Sequence, residues 1–287
     1  MRGAKCLVGI PTLNGPDRLR RCLAAIRDCT DFSYFDVKVL VADDGSTPEN
    51  LEANKSILHQ SGVPGVELLH GHGRTGIAAT WNRLVRHDRD SGRQLVVLVN
   101  DDVEVVDDWL DVLAFSVLNN AGTVGMVGLN SYVGRIKENT VSPPRVDFVE
   151  AKLTDGGGSL VASHGPIFAF DRRKYDFIGG FDERYFCFYE EVDFGVALRQ
   201  VGYRNVMASY PIVYHMGGAT NSDPKNLDAH RCMTESRQKF GAKWGATIDQ
   251  IRDSVTKGQT RDSVTVGQVR PGSLREWNSQ WKVWRDE

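Results

Sequence analysis

The sequence predicts an α/β protein built on a mostly parallel sheet with helices on both faces. In the first half, short apolar segments alternate with longer segments whose apolar residues recur at helical spacing. Strands that are separated by helices favour parallel pairing, with the connecting helices covering both faces of the sheet. The predicted strands are residues 7–10, 37–42, 66–69 and 95–99, and the predicted helices are 17–27, 48–59, 75–86 and 107–119.

Composition limits the class of protein. Hydrophobic residues make up 41% of the 287 residues and charged residues 25%, which is typical of a globular protein. The net charge of −2 argues against a surface dominated by nucleic-acid or membrane binding. No apolar run is long enough for a membrane span, and 7–10 is too short for a secretory signal. Five cysteines without CxxC spacing favour thiols in a reducing compartment, so we expect a cytoplasmic protein with no integral membrane segment.

The remainder of the chain is less regular. Residues 130–165 are rich in Gly, Ser and Pro, and we expect a mobile loop there that acts as a lid over the site. Further predicted elements are a strand at 167–170, a helix at 192–201, a strand at 212–214 and a helix at 228–244.

The tail contains a near-repeat, 252–260 and 261–269, which we interpret as a hairpin or a small accessory element. We expect one domain over 1–221, with a nucleotide-binding half at about 1–120 and an acceptor half at about 121–221. Residues 222–287 form a small, mainly helical accessory segment in this interpretation.

Polar residues follow four of the predicted strands, where ligands bind in open α/β sheets. They are residues 11–14, 43–46, 71–76 and 100–102. The carboxylates of residues 100–102 suit a divalent cation that bridges two phosphates, although an acidic turn before a helix gives the same pattern. Asp43 or Asp44 suits a hydrogen bond from a nucleobase imide, although an Asx turn closed by Gly45 is an equal alternative.

Two later features also suggest chemistry. Glu190, Glu191 and Asp193 crowd three carboxylates at a helix start, which suits a general base, although acidic residues also complement a helix dipole. His215 follows a predicted strand and precedes Gly217 and Gly218, which makes it a candidate metal ligand, although a lone histidine is usually structural.

Taken together, six segments resemble the glycosyltransferases of the family 2 type, which have the GT-A fold. The similarity covers about residues 5–220. The segments resemble the family's P-T-x-N, V-D-D-G-S-T, N-x-G…N, L-N-P-D-V-x-V, G-G-F-D-E…E-D-x-D and V-x-H-x-G-G motifs. In this chain they are residues 11–14, 41–47, 73–82, 98–105, 179–193 and 213–218. Each motif is weak alone, but six in the right order are specific.

The resemblance implies a role for each matching residue. Asp102 would bind Mn²⁺ or Mg²⁺, and His215 would be a further ligand. Asp43 or Asp44 would hold the nucleobase, and Thr12 would help to seat the nucleoside. Glu191 stands where the family usually has the aspartate that is its inverting general base, so Glu190 or Asp193 is an alternative base. The other residues expected at the donor are Pro11, Asn14, Gly73, Arg74, Asn82, Asn100 and Asp101.

The expected function is therefore metal-dependent, inverting transfer of a sugar from a UDP- or dTDP-sugar to an acceptor hydroxyl. The acceptor is a glycan, a lipid-linked glycan, a protein or modified DNA, and the mild basic excess of the tail permits nucleic acid. One alternative is a nucleotidyltransferase, which usually carries a glycine-rich, basic signature near the first strand. Another is a non-catalytic module that binds carbohydrate or nucleic acid on a degenerate GT-A fold.

Overall fold

The computed structural model describes residues 2–71, 73–133, 149–154, 166–216, 228–248 and 264–269. Its strands are β1 (Lys5–Thr12), β2 (Asp36–Asp43), β3 (Glu67–His70), β4 (Leu95–Val99), β5 (Val103–Glu104), β6 (Val124–Val133), β7 (Val149–Thr154), β8 (Ile167–Asp171), β9 (Arg204–His215) and β10 (Val264–Val269). Its α-helices are α1 (Pro16–Cys29), α2 (Pro48–Gln60), α3 (Ile77–His87), α4 (Trp109–Asn119), α5 (Arg172–Ile178), α6 (Glu190–Gln200) and α7 (Ala229–Trp244).

The described strands form one sheet in the order β10-β7-β9-β6-β8-β4-β1-β2-β3, and β5 pairs with β9. The strands β3, β2, β1 and β4 are mutually parallel, so their carboxyl ends lie along one edge. Beyond β4 the sheet is mixed, because β8 runs antiparallel to both β4 and β6 while β9 runs parallel to β6. The predicted α/β class is confirmed, and all four strands predicted in the first half are present.

Helices cover both faces of the sheet, as the alternation of side chains along β1 shows. Cys6, Val8 and Ile10 point to a core shared with α1, α2 and α4, whereas Leu7 points to a core shared with α3, α5, α6 and α7. These four side chains of β1 are fully buried. A strand covered on both faces reads as a continuous apolar run, which is why these strands stand out in the sequence.

Parts of the segment 130–165 are strands, contrary to our expectation. The strand β6 extends to Val133 and β7 covers Val149–Thr154, so the prediction of an irregular loop was wrong for these residues. Neighbouring strands supply their hydrogen bonds, since β9 pairs with both, and this pairing is invisible in local composition. Residues 134–148 and 155–165 lie outside the described residues, so the lid remains a prediction.

The C-terminal segment contributes to the main fold. The helix predicted at 228–244 is confirmed as α7, and its Phe240 is buried in the core that also contains residues of α3 and α6. The strand β10, which lies in the second copy of the near-repeat, pairs with β7. The first copy lies outside the described residues. The segment therefore adds a strand as well as a helix, and the domain boundary at residue 221 stays a prediction.

Two further expectations concern the whole chain. None of the helices within the described ranges has the length and apolar character needed to cross a membrane. The five cysteines all lie in the described part, and none of them forms a disulfide.

Candidate active site

The loops after β1 and β2 are joined at the carboxyl edge of the sheet, as their positions in the sequence predicted. The Asp44 backbone N–H donates to the Thr12 carbonyl (3.0 Å). The Asn14 N–H donates to the Ser46 hydroxyl (2.8 Å), and the Thr47 N–H donates to the Asn14 side-chain carbonyl (2.9 Å). Pro11 lies in β1 itself, buried beside Ala42 of β2. These hydrogen bonds hold the two loops together.

Asp43 forms the Asx turn that was the alternative interpretation of this loop. Its side chain is completely buried, and one carboxylate oxygen accepts from the backbone N–H groups of Gly45 (3.1 Å) and Ser46 (3.0 Å). The other oxygen accepts from Asn54 (3.2 Å). Gly45 has φ +89°, and a Cβ at this position would lie 2.8 Å from the backbone nitrogen of Arg74, so the turn requires glycine.

Asp44 connects the β2 loop to the loop before α3. One oxygen accepts from the Thr75 N–H (2.8 Å) and the Thr75 hydroxyl (2.7 Å), and the other accepts from the Gly76 N–H (3.0 Å). Gly73 and Arg74 are exposed at this loop. The Arg74 guanidinium lies over the Phe186 ring, 5.1 Å from its centroid. This contact brings the predicted donor loop against the segment that leads to the three carboxylates.

Asp101 is held within the protein by Thr12 and Arg18. The Thr12 hydroxyl donates to one oxygen (2.7 Å), and the Arg18 Nε donates to the other (3.3 Å). Burial raises the pKa of Asp101 to about 6, while the Arg18 charge and the Thr12 hydrogen bond oppose that rise. Sequence reasoning missed Arg18, because it is one of four arginines in an amphipathic helix and carried no motif of its own.

Asp102 and His215, the two predicted metal ligands, are neighbours. Their Oδ1 and Nε2 atoms are 3.3 Å apart, and the two side chains are 10% and 19% exposed. Pairing of the backbones of β5 and β9 brings Asp102 and His215 together, because Val103 is opposite His215 and the Met216 N–H donates to the Asp102 carbonyl (3.0 Å). Within the described ranges, no set of three or more His, Cys, Asp or Glu residues is arranged to hold a metal.

Asn100, another residue predicted at the donor, is half-buried, and its backbone N–H donates to the Pro166 carbonyl (2.8 Å).

The three carboxylates at the start of α6 lie in different environments. Glu190 is buried, its Oε2 has no hydrogen-bond partner among the described residues, and burial together with Glu191 raises its pKa well above the ordinary range. Glu191 is half-buried. Asp193 is 3% exposed and accepts hydrogen bonds from Tyr185 (3.2 Å), Lys243 (2.7 Å) and Trp244 (2.8 Å). Of the three, Glu191 is the one that is partly open to solvent.

Asn82 is completely buried, and its amide binds the protein. The amide nitrogen donates to the Phe181 carbonyl and to Glu183 (both 2.8 Å). The amide oxygen accepts from the Tyr175 hydroxyl (2.7 Å) and the Phe181 N–H (2.9 Å). These four bonds use two donors and two acceptor positions, which is the full capacity of an amide. A contact with the donor would require one of them to break.

The arrangement agrees with a comparison of the sequence with known families. The model of the family described as Glycosyl transferase family 2 matches residues 7–176, more than half of the chain. The chain belongs to glycosyl transferase family 2. The predicted enzyme class is thereby confirmed at the level of the family, and neither the nucleotidyltransferase nor the non-catalytic module is needed to explain the motifs.

Two curated relatives share part of the sequence. The O-antigen biosynthesis protein RfbC of Myxococcus xanthus is 23% identical over 248 residues, which are 76% of this chain and 18% of that protein. The N-acetylglucosaminyl-diphospho-decaprenol L-rhamnosyltransferase of Mycobacterium tuberculosis is 26% identical over 261 residues, which are 79% of this chain and 81% of that protein. This chain therefore spans about a fifth of the length of the first relative and most of the second.

A solved structure supports the fold. The mannosyltransferase PcManGT from Pyrobaculum calidifontis, in complex with GDP-Man and Mn²⁺, superposes with a TM-score of 0.54 at 16% identity. The superposition covers 97% of this chain and 84% of that one. The predicted GT-A class of fold is confirmed by this similarity.

The contacts of Asn82 generate a first prediction. Asn82→Ala should lower the free energy of unfolding by roughly 3–4 kcal/mol, about 1 kcal/mol for each lost hydrogen bond. Urea unfolding measures this change. Asn120→Ala is the control, since the Asn120 amide donates one hydrogen bond among the described residues, to the Ser116 carbonyl (3.1 Å), and its loss should cost far less. An unchanged stability with tenfold weaker donor binding would instead make Asn82 a donor ligand.

Proposed function

We propose that this chain is an inverting, divalent-metal-dependent glycosyltransferase that uses a UDP- or dTDP-sugar. The observation that carries the proposal is the 3.3 Å approach of Asp102 and His215 at the edge where the β1, β2 and α3 loops meet. An acid and an imidazole that converge on one edge of the sheet, beside a nucleotide-type loop, suit a metal–diphosphate site.

The residues present fit Mn²⁺ or Mg²⁺. Carboxylate oxygen and imidazole nitrogen are both ligands of Mn²⁺, and neither side chain is sealed from solvent. Two protein ligands leave coordination positions for diphosphate oxygens, which is how such ions are commonly held. When bound, the ion would neutralise charge that develops on the departing diphosphate. The similarity to a mannosyltransferase solved with GDP-Man and Mn²⁺ supports this cofactor.

Asp44 is the better of the two aspartates for the nucleobase. The Asp43 carboxylate is completely buried and shapes the turn, whereas Asp44 is 7% exposed. The Asp44 Oδ2 accepts one hydrogen bond, from Gly76, and a carboxylate oxygen has capacity for a second. An imide N–H of uracil or thymine would supply it. In this proposal Thr12, Asn14, Gly73, Arg74 and Asn100 line the donor site, while Pro11, Asn82 and Asp101 position their neighbours.

Glu191 is the base that the environment favours. Asp193 accepts three hydrogen bonds, one of them from an ammonium group, and Glu190 is buried with a raised pKa. Glu191 is half-buried, so an acceptor hydroxyl can approach its carboxylate from solvent. Burial, and after it the neighbouring Glu191, raises the pKa of Glu190, which favours the neutral form of that carboxyl.

In this proposal the reaction is a direct displacement. Glu191 removes the proton from the acceptor hydroxyl as that oxygen forms a bond to the anomeric carbon of the sugar. The bond from that carbon to the diphosphate oxygen breaks on the opposite face, and the electron pair leaves with the nucleoside diphosphate. Attack opposite the leaving group inverts the anomeric configuration. Arg18 keeps Asp101 paired, so that Asp102 faces the leaving group from a fixed strand end.

A lipid-linked glycan is the acceptor that we place first. The name of the Mycobacterium tuberculosis relative specifies a diphosphate-linked N-acetylglucosaminyl lipid, and the O-antigen relative is named for glycan biosynthesis. Another glycan, a protein and modified DNA are the other acceptors that the sequence permits. A panel of these acceptors with radiolabelled UDP- and dTDP-sugars and Mn²⁺ tests the proposal as a whole.

The metal gives one prediction. Asp102→Ala should lose transfer activity and bind Mn²⁺ at least tenfold more weakly by isothermal titration in the presence of UDP, because one of two protein ligands is gone. Asp90→Ala, at an exposed aspartate that precedes the amino end of β4, whereas Asp102 follows its carboxyl end, is the control and should match wild type. Full activity of Asp102→Ala in EDTA would rule out metal dependence.

The general base gives another testable prediction. Glu191→Gln should reduce kcat about 100-fold or more, because removal of a general base typically costs that much, while the Kd for UDP stays near the wild-type value. Steady-state kinetics and titration measure the two effects. Glu235→Gln, at an exposed α7 glutamate, is the control. If Glu191→Gln stays active while Glu190→Gln or Asp193→Asn is inactive, the base is the residue whose variant is inactive. Activity in all three variants would reject the mechanism.

The nucleobase contact gives a third. UDP and dTDP should bind about 10- to 100-fold more tightly than ADP in the presence of Mn²⁺, because adenine has no imide N–H to donate to the Asp44 carboxylate, and a charge-assisted hydrogen bond has that value. Competition titrations with the three nucleotides measure it. Equal Kd values for all three would exclude recognition of the imide.

A further inference from the structure

Helix α7 contacts the chain on both sides of Glu190 and Glu191. Before them, the Ser236 hydroxyl donates to the Cys187 carbonyl (2.8 Å), and the Phe240 ring packs on Tyr189 with centroids 5.3 Å apart. After them, Lys243 and Trp244 donate to Asp193 at 2.7 and 2.8 Å. Successive turns of one helix therefore touch residues 187, 189 and 193, and the two glutamates lie between these contacts.

The contacts before the glutamates fall on a strained turn. Phe188 has φ +68° and Tyr189 has φ +73°, a conformation that side chains with a Cβ rarely adopt. Two adjacent aromatic residues in this region persist only where surrounding contacts hold them. Glycine would relieve the strain, but it would remove the Tyr189 ring that packs on Phe240. The turn sets the direction in which α6 begins, and thus the direction of its first side chains.

The contact after the glutamates fixes the rotation of α6. Asp193 lies one turn into the helix, with its N–H donating to the Tyr189 carbonyl (2.8 Å). Its buried carboxylate accepts hydrogen bonds from Tyr185 in the segment before α6 and from Lys243 and Trp244 of α7. The helix therefore cannot turn about its axis without breaking these hydrogen bonds. On the opposite side, the Ile77 N–H donates to the Phe186 carbonyl (2.9 Å), which ties the same segment to the donor loop.

We infer that α7 is a positioning element of the active site, and that Lys243 and Trp244 are positioning residues for Glu191 through Asp193. The inference rests on the proposed function, since it takes Glu191 as the base. It places a helix from outside the residues matched by the family model, 7–176, within the catalytic unit. Asp193 is then a structural anchor, and its proximity to the two glutamates in sequence reflects that role.

The matched experiment compares two lysines of α7. Lys243 donates to the carboxylates of Asp193 (2.7 Å) and Asp182 (2.9 Å), whereas Lys239, one turn earlier, donates to the Arg184 carbonyl (2.9 Å) in the connection before α6. Lys243→Met should lower kcat about 10- to 100-fold, as small misplacements of catalytic groups do, with the Kd for UDP within twofold of wild type. Lys239→Met should retain wild-type kcat. Lys243→Arg should restore most of the activity, because a guanidinium also pairs with a carboxylate.

Hydrogen exchange provides a readout that does not depend on activity. Lys243→Met should speed exchange of the amides of residues 186–193 while the amides of β1 and β4 stay protected, which also shows that the variant is folded. Phe240→Leu, a substitution that keeps an apolar side chain, should speed exchange at residues 187–189 in the same way. Equal kcat in Lys243→Met and Lys239→Met, with unchanged exchange at 186–193, would overturn the inference.

The two proposals fail differently. A wild-type protein that transfers no sugar from any UDP- or dTDP-sugar contradicts the proposed function, and the exchange comparison then still decides whether α7 holds the 186–193 segment. An active wild type whose Lys243→Met variant loses donor affinity as much as kcat contradicts the positioning role alone.

Discussion

The site depends on the three hydrogen bonds that the Asp44 carboxylate accepts from Thr75 and Gly76. They join the end of β2 to the loop before α3, and that loop contacts Phe186 through Ile77 and the Arg74 side chain. A nearly buried carboxylate is costly unless donors compensate it, so this loop is held in one position. Through it, an aspartate at the end of β2, where we propose the donor site, is linked to the segment that carries the glutamates.

The same principle separates the acids that build the site from those proposed to react in it. Asp43, Asp101 and Asp193 are buried, and each accepts hydrogen bonds from at least two residues. Asp102 and Glu191 are less buried and remain accessible. Because a buried charge is unfavourable without compensating donors, the buried acids are paired and stabilise the architecture, whereas the roles that we propose at a cation and an acceptor fall on the more exposed acids. Crowding of acids in the sequence does not distinguish the two kinds.

The sequence predicted those parts of the fold that have a local signature. The strand β4 has the predicted bounds, 95–99, because five fully buried apolar residues are flanked by polar ones. The strands β6 and β7 were not predicted, since their partners are distant along the chain. At the site, the loop positions and the Asp102–His215 pair followed from motif order. The partners of Asn82 and Asp193 did not, because Phe181 and Lys243 are 99 and 50 residues away.

The distant partner of Asp193 bears on how a short helix can present a base. The helix α6 has eleven residues and begins after two residues with positive φ, so its own hydrogen bonds do not fix its first turn. Isolated helices of this length are marginal in water, and packing must supply their stability. Val192, Phe194 and Leu198 of α6 are buried in the core. Burial alone permits small rotations, whereas the directional bonds from Lys243, Trp244 and Tyr185 to one carboxylate select a single rotation.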